Sequence, residues 1–467
     1  MPNPPRSRSR RAFLTAGLGA LLLNACGGGN PSPAGIPTPT AGPGGILGII
    51  PRPAPTPTPL PEKVRFAHWL QDVAAPVMQG LVRGYNDKHP DVIVQEEVAP
   101  FGDHRSALLK GLAAGSAPDV FLISGPDLAV PTATPAILDL TTYLSRDKLD
   151  LTRYWSSPQT RQIGGKQFAV PLWCAVDLAY LNHDLLAKAK LGSPAADWTW
   201  DDLLKAASQL TVGKPGEVSQ WGLLVVNDIQ GGWGGFVASN DGHWIDPTTG
   251  QAALDANAIA ALQWVVDAIN RHHVAPGPRN QDALTRGGTI DPFLAGKVAI
   301  LVNGTWEMPS LLGNAAFPWD ILPLPKAPKT AASQSVADAQ PGSIARATKA
   351  ADASWGFLSF LIDESSQRQW ARIKVRLPSL VSVAADATDG YAVSPPTRAP
   401  AASDALTTAR DLEFVPNWQA FRAALTVGLQ PAYDGDQPLS EAVPAAVKAA
   451  NQALGPVATP TRAPSPP

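Results

Sequence analysis

An α/β fold with a mainly parallel sheet is what this sequence predicts, and three features of its first structured stretch carry that expectation. Val64-Arg65-Phe66-Ala67-His68-Trp69 alternates like a strand, Val92-Ile93-Val94 is a second strand, and Asp119-Val120-Phe121-Leu122-Ile123 reads as a buried third. Between the first two, Val77, Leu81, Val82 and Tyr85 recur at helical spacing over residues 73–88. Between the second and third, Leu108, Leu109 and Leu112 mark another helix, for which Asp103 is the expected cap. Strands separated by amphipathic helices imply parallel neighbours, and ligands of such sheets bind beyond the carboxyl ends of the strands. Those ends are Trp69-Leu70-Gln71-Asp72, Ala99-Pro100-Phe101-Gly102-Asp103 and Ser124-Gly125-Pro126-Asp127.

The chain has 467 residues, 45% of them hydrophobic, with 14 Trp and a net charge of −2. That is enough chain for two lobes of ordinary size and enough aromatic surface for a binding site. Residues 1–25 hold four Arg (6, 8, 10 and 11) and no acid, so the remainder carries a net charge of −6. This balance argues against a nucleic-acid partner. With only two cysteines, Cys26 and Cys174, acylation of the first leaves no intramolecular disulfide. Cys174 reads as a small buried hydrophobe.

Ser9-Arg10-Arg11-Ala12-Phe13-Leu14 leads into an apolar run, Ala16 to Leu23, that ends at Asn24-Ala25-Cys26-Gly27. This resembles a bacterial twin-arginine lipoprotein signal, although Thr15 stands where Lys is usual and Asn24 where Ala, Ser or Thr is preferred. The run is too short to span a bilayer. The resemblance implies removal of residues 1–25, lipidation of Cys26 and anchoring at the outer face of the cytoplasmic membrane. Residues 30–62 contain eleven prolines, a composition that favours extended polyproline II and reads as a stalk reaching roughly 100 Å at ~3.1 Å per residue. The tail 456–467 is expected to be disordered.

Seven stretches, in order, resemble one family. They are Asn86-Asp87-Lys88-His89-Pro90-Asp91-Val92, the run from Gly111 to Phe121, Gly165 to Leu172 with Ala179-Tyr180-Leu181-Asn182, and Trp198-Thr199-Trp200-Asp201-Asp202-Leu203. Phe293 to Ile300, Asn303-Gly304-Thr305-Trp306 and Ala353 to Leu361 complete the series. The chain from Lys63 to Leu454 is similar to the extracellular solute-binding proteins of ABC importers, the class that includes maltose- and glycerol-phosphate-binding members. The resemblance implies a two-lobed, type II periplasmic-binding-protein-like α/β fold. Lobe 1 would take residues 63–172 and 345–380, and lobe 2 residues 173–340 and 381–455. Strands crossing near Pro171–Val176, Gln340–Ile344 and Leu380 would join them around a ligand cleft that closes by hinge motion.

A sugar cleft needs flat aromatic faces for ring carbons and fixed donors and acceptors for hydroxyls. Carried onto this chain, the resemblance points to Gln71, Asp72, Ser124, Gly125, Trp173, Trp233, Trp306, Glu307 and Trp418 as ligand contacts. Trp233 stands out because four glycines surround it in Gly231-Gly232-Trp233-Gly234-Gly235, which allows close backbone approach. Asp72 and Glu307 have alternative readings as helix caps, Ser124 and Gly125 as a turn, and the tryptophans as core. Trp355 and Trp370 sit among apolar residues at helical spacing and read as core.

No Gly-x-Ser-x-Gly, His-Glu-x-x-His, Walker loop or dinucleotide glycine pattern occurs, so no catalytic residue, cofactor or metal is assigned, and His272-His273 reads as surface. The expected function is capture of a small solute, a mono- or oligosaccharide, by a monomer that delivers it to ABC permease subunits. Two alternatives remain: a secreted carbohydrate-active enzyme on a stalk, and a receptor for a glycerol phosphate or polyamine. The chosen loops contain no basic residue to hold a phosphate, and only Asp72 and Glu307 as acids for a polyamine.

Overall fold

A single strand, buried along its whole length, ties this molecule together. The computed structural model describes residues 60–455 except 72–73, 135, 156–161, 373–375, 387–395, 399, 414 and 416. Cys26, the stalk as far as residue 59, Asp72 and the tail therefore lie outside the described residues, and Glu62, expected to end the stalk, instead opens the first strand. The strands are β1 (Glu62–His68), β2 (Val92–Val98), β3 (Val120–Leu122), β4 (Val170–Asn182), β5 (Val212–Lys214), β6 (Glu217–Leu224), β7 (Val298–Gly304), β8 (Trp319–Leu322), β9 (Val336–Ile344), β10 (Leu377–Pro378) and β11 (Arg410–Asp411). Their main order is β2-β1-β3-β9-β4-β7-β6-β5, with β8 and β10 also on β4 and β11 on β9.

The first layers follow the sequence pattern. The helix Ala75–Lys88 buries Met78, Leu81, Val82 and Tyr85, one stripe at helical spacing. Its Asn86 clamps the next strand: the side-chain amide donates to the Val94 carbonyl (3.2 Å), and the Val94 N–H donates back to the Asn86 Oδ1 (2.9 Å). The helix Phe101–Ala114 stops at Gly115, which takes φ 69°, and Ser116 N–H donates to the Gly111 carbonyl at 2.8 Å. That helix begins earlier than expected. Pro100 is its first flanking residue, and Asp103 lies exposed within the first turn without capping it. The helix Trp200–Leu210 starts in a reciprocal Thr199/Asp202 capping box.

The sheet is mixed rather than mainly parallel. β1 runs parallel to β2 and β3, and β6 parallel to β7, but β9 is antiparallel to both β3 and β4, and β4 is antiparallel to β7, β8 and β10. The reason lies in β4, which the alternating strand–helix rule does not anticipate. Its residues 170–176 pair with β9 and its residues 177–182 with β7 and β8. Its side chains alternate between two hydrophobic cores: Leu178 and Tyr180 join the first, Ala179 and Leu181 the second. The first core holds Phe66, Trp355, Phe357 and Trp370, while the second holds Trp200, Phe236, Phe421 and Tyr433. Cys174 is buried, and burial pushes its thiol well above the ordinary range, which makes it inert. His272 and His273 are exposed.

Packing between β6 and the helix Trp200–Leu210 sets a sharp steric test. A Cβ on Gly222 would stand 1.9 Å from the Ala207 carbonyl oxygen, whereas one on Gly84, inside the first helix, would meet nothing within 4 Å. Gly222→Ala is expected to lose about 1–3 kcal/mol of stability or more through overpacking. Gly84→Ala is expected to gain up to about 1 kcal/mol. Urea unfolding midpoints measure both, and a Gly222→Ala midpoint equal to that of the parent would contradict this packing.

Candidate functional site

Two carboxylates stand where strands bury everything else. Asp177 sits between Val176 and Leu178 in β4, and Asp338 between Ala337 and Ala339 in β9, with Asp338 opposite Ala175 in the register of the pair. Asp177 is 1% exposed and Asp338 6%. Taking a carboxylate out of water disfavours its charged form. Burial pushes Asp177 up to about 8, with neighbouring Asp228 and Asp338 adding to the shift and Arg422 opposing it. Burial likewise pushes Asp338 up to about 7, with Asp127 adding and Arg422 opposing.

Both halves of the molecule supply groups around this pair. After β3, Ser124 and Gly125 lead into a short turn, Gly125–Leu128, whose buried Asp127 receives a two-pronged hydrogen bond from Arg105 (2.7 and 2.8 Å). From the other side, Arg422 on the helix Trp418–Tyr433 grips Asp228, with its Nη2 donating to Oδ2 at 2.7 Å, and its Nη1 donates to Gln230 Oε1 at 3.0 Å. The turn and that helix lie against each other, so the two halves meet here. Fork-to-carboxylate pairs of this kind are strong and directional.

The glycine-rich loop closes the arrangement. Gly231 takes φ 70°, and its N–H donates to Asp177 Oδ2 at 3.0 Å. A Cβ there would stand 2.4 Å from Asn303 Oδ1 and 3.1 Å from the Trp306 ring, and one on Gly304 would stand 2.1 Å from that ring. Two glycines thus form the seat of Trp306. Behind it, buried Glu307 accepts from Thr289 Oγ1 (2.8 Å) and Asn303 Nδ2 (2.9 Å), and burial raises its carboxyl against those bonds.

The structure gathers some of the expected contacts and separates others. Gly125, which follows Ser124, hydrogen-bonds Asp338 through its backbone, Trp306 lies against Gly231 with part of its surface open, and Glu307 lies behind Trp306. Three other tryptophans differ from the expectation of open stacking faces, because each ring face is taken by protein. Trp173 is fully buried against Trp370, with ring centroids 4.9 Å apart. Trp233 is fully buried beside Trp244 and donates through Nε1 to Asn227 Oδ1 at 3.2 Å. Trp418 is 1% exposed and packs on Phe421, although its edge reaches a cavity. Gln71 is exposed at the end of β1. Asp72 lies outside the described residues.

The cavity reached by Trp418 measures about 710 Å³ and runs between Arg105, Leu109, Pro126 and Asp127 on one side and Asn417 and Trp418 on the other. Its size suits a small organic ligand. Asp177, Asp338, Asp228, Arg105 and Arg422 escaped the sequence reading. The available signal was a lone carboxylate inside an unbroken apolar strand. The chosen loops contain no basic residue; Arg105 and Arg422 reach this region from the helices Phe101–Ala114 and Trp418–Tyr433, both already engaged by aspartates. Among the described residues no cluster of three or more His, Cys, Asp or Glu is placed to hold a metal.

A polar network between two α/β halves, with a cavity lined by its Arg105 and Asp127, suits a two-lobed binding protein. The model of the bacterial extracellular solute-binding protein family matches residues 68–368, and the chain belongs to that family. The fold is similar to that of an ABC substrate-binding protein from Listeria monocytogenes in complex with cycloalternan, at 20% identity and TM-score 0.74 over 85% of this chain and 99% of that one. It is also similar to the GacH receptor of Streptomyces glaucescens, solved unliganded and with acarbose, at 20% identity and TM-score 0.69 over 85% of this chain and 99% of that one. An uncharacterized lipoprotein from the oleD 5' region of Streptomyces antibioticus is 29% identical over 156 residues, which is 32% of this chain and 34% of that relative. The family and these solved structures are binding proteins.

The raised carboxylate gives a pH test. Between about pH 4 and pH 8 the unfolded chain has released a proton that folded Asp177 still holds, so stability falls as pH rises through that window. One such proton contributes at most about 1.4 kcal/mol per pH unit. Asp177→Asn is expected to flatten this part of the slope, as read from urea melts at pH 5, 6, 7 and 8. An unchanged slope would show that Asp177 is ionised in the folded protein.

Proposed function

We propose that this protein captures a saccharide between its two halves and delivers it to the permease of an ABC importer. The observation that carries the reading is the junction itself. Trp306, seated on Gly231 and Gly304, offers an aromatic face beside buried carboxylates and hydrogen-bonding groups from both halves. That pairing of flat apolar surface with fixed acceptors matches the amphipathic surface of a sugar. Cycloalternan and acarbose in the similar structures are carbohydrates, which supports the same class. A glycerol phosphate fits less well, because Arg105 and Arg422 are both spent on aspartates.

In this reading the protein is no enzyme and works as a monomer. It leaves the cell by the twin-arginine route, is cleaved before Cys26, and is held by lipid at the outer face of the cytoplasmic membrane on its proline-rich stalk. The leader pattern and the lipoprotein relative support this.

Two measurements test the proposal. Thermal melts across a panel of mono- and oligosaccharides should find a ligand that adds about 2.7 kcal/mol at a hundred times its dissociation constant. Trp306→Ala should then weaken that ligand about tenfold or more while leaving the melt of the free protein nearly unchanged. Normal binding by Trp306→Ala would displace the site, and appearance of shorter sugars during incubation would favour a carbohydrate-active enzyme instead. Separately, Cys26→Ala should move the protein from the membrane fraction to the soluble exported fraction, and retention in the membrane would refute the lipid anchor.

A further inference from the structure

The cavity that Trp418 reaches differs in chemistry from the junction beside it. Arg105, Leu109 and Ala113 recur every four residues on the helix Phe101–Ala114, so one stripe of that helix forms a wall. Leu112, Pro126 and Pro131 extend the wall, and Trp418 closes it from the helix Trp418–Tyr433. Ala113 is exposed and Leu109 half-buried, so this apolar surface is open to a solute. A volume of about 710 Å³ lined mostly by apolar side chains, with a few fixed polar groups, is the make-up of a site for a small organic molecule.

The charged groups of the wall are already engaged. Arg105 and Asp127 satisfy each other through two hydrogen bonds of 2.7 and 2.8 Å. Asn417, held at φ 55°, donates through Nδ2 to the Leu454 carbonyl at 3.5 Å. Sugar hydroxyls laid along Leu109, Leu112, Pro126 and Pro131 would lose water and meet no donor or acceptor on those side chains, which disfavours a bare saccharide. Apolar carbon laid there leaves no polar group unmet and gains from its own burial. Asp127 joins the two chemistries, because it lies in this wall and its charge acts on Asp338 at the junction.

We infer that the solute is a glycoside, a saccharide carrying an apolar substituent of several carbons, whose sugar lies at the polar junction while the substituent enters this cavity between the stripe of Leu109 and Ala113 and the ring of Trp418. The inference rests on the saccharide reading above and narrows it. A purely apolar solute would share the cavity but would have no use for the hydrogen-bonding groups at the junction.

A matched series decides the matter. Full-length protein held in lipid nanodiscs is titrated calorimetrically, against empty nanodiscs, with the methyl, butyl and phenyl glycosides of glucose, galactose, mannose and maltose, and with 1-butanol and phenol as sugar-free arms. Three methylenes separate a butyl from a methyl glycoside, and each one buried strengthens binding about fourfold. The expected result is that at least one sugar binds tenfold or more tighter as its butyl or phenyl glycoside than as its methyl glycoside. Ala113→Trp, which fills the cavity from an exposed position, should bring that ratio close to one, with Leu109→Ser as a second variant and thermal melts confirming that both fold. Methyl glycosides that bind as well as the longer ones would overturn the inference and leave the saccharide reading standing. Binding of the sugar-free alcohols as tightly as their glycosides, or of nothing in the panel, would overturn both. A ratio that survives intact in both variants would overturn the assignment to this cavity. An advantage seen only after the chain is cut at Gly455 would give the cavity to residues 456–467 and overturn the inference as well.

Discussion

Burial of Asp177 and Asp338 on strands shared by both halves is the constraint on which the rest of the site depends. A buried carboxylate must be protonated, paired or hydrogen-bonded. Here the compensation comes from both sides: the Gly231 amide, Gln230 and Arg422 from one, and the Gly125 backbone from the other. Apolar packing is indifferent to direction, whereas these contacts are not. The relative placement of the halves is therefore written in a polar network, and a polar network can exchange partners when a ligand arrives.

The tryptophans show how little composition says about exposure. Trp173, Trp233, Trp355, Trp370 and Trp418 all lie within the cores. Indole is the largest apolar side chain, so a fold of this size uses it first to fill space, and two of its rings reach buried carbonyls, Trp198 at Pro323 (2.9 Å) and Trp200 at Pro325 (3.2 Å). Trp306 escapes that fate because glycines at 231 and 304 leave room for its ring on top of the main chain instead of beneath it. The glycine-rich stretch around Trp233 matters to the site through Gly231, not through the tryptophan it surrounds.

Local periodicity made the outer parts of the fold legible. The stripe of Leu81, Val82 and Tyr85, the Thr199/Asp202 cap and the stop at Gly115 are all events within a few residues. The mixed sheet was not legible, because β9 lies between β3 and β4 although it is separated from β4 by more than 150 residues of chain. The site divides the same way. Ser124, Gly125, Trp306 and Glu307 belong to local motifs that a sequence displays, whereas Arg422 becomes meaningful only when the fold brings it across 194 positions to Asp228. Asp177 was visible all along as one carboxylate in a thirteen-residue buried strand. Periodicity rules average over such a residue, while the physics of charge burial singles it out.

That same physics links binding to the relation between the halves. In this arrangement Asp338 Oδ1 has no partner and Asp127 raises the Asp338 carboxyl, while Gln230 and the Gly125 backbone hydrogen-bond to it and lower it. The terms oppose one another, and a donor that met Asp338 Oδ1 would favour the joined arrangement. A solute that supplied such a donor would bind the joined arrangement better than a separated one, and such a difference in affinity is the only means by which a ligand can shift an equilibrium between two arrangements.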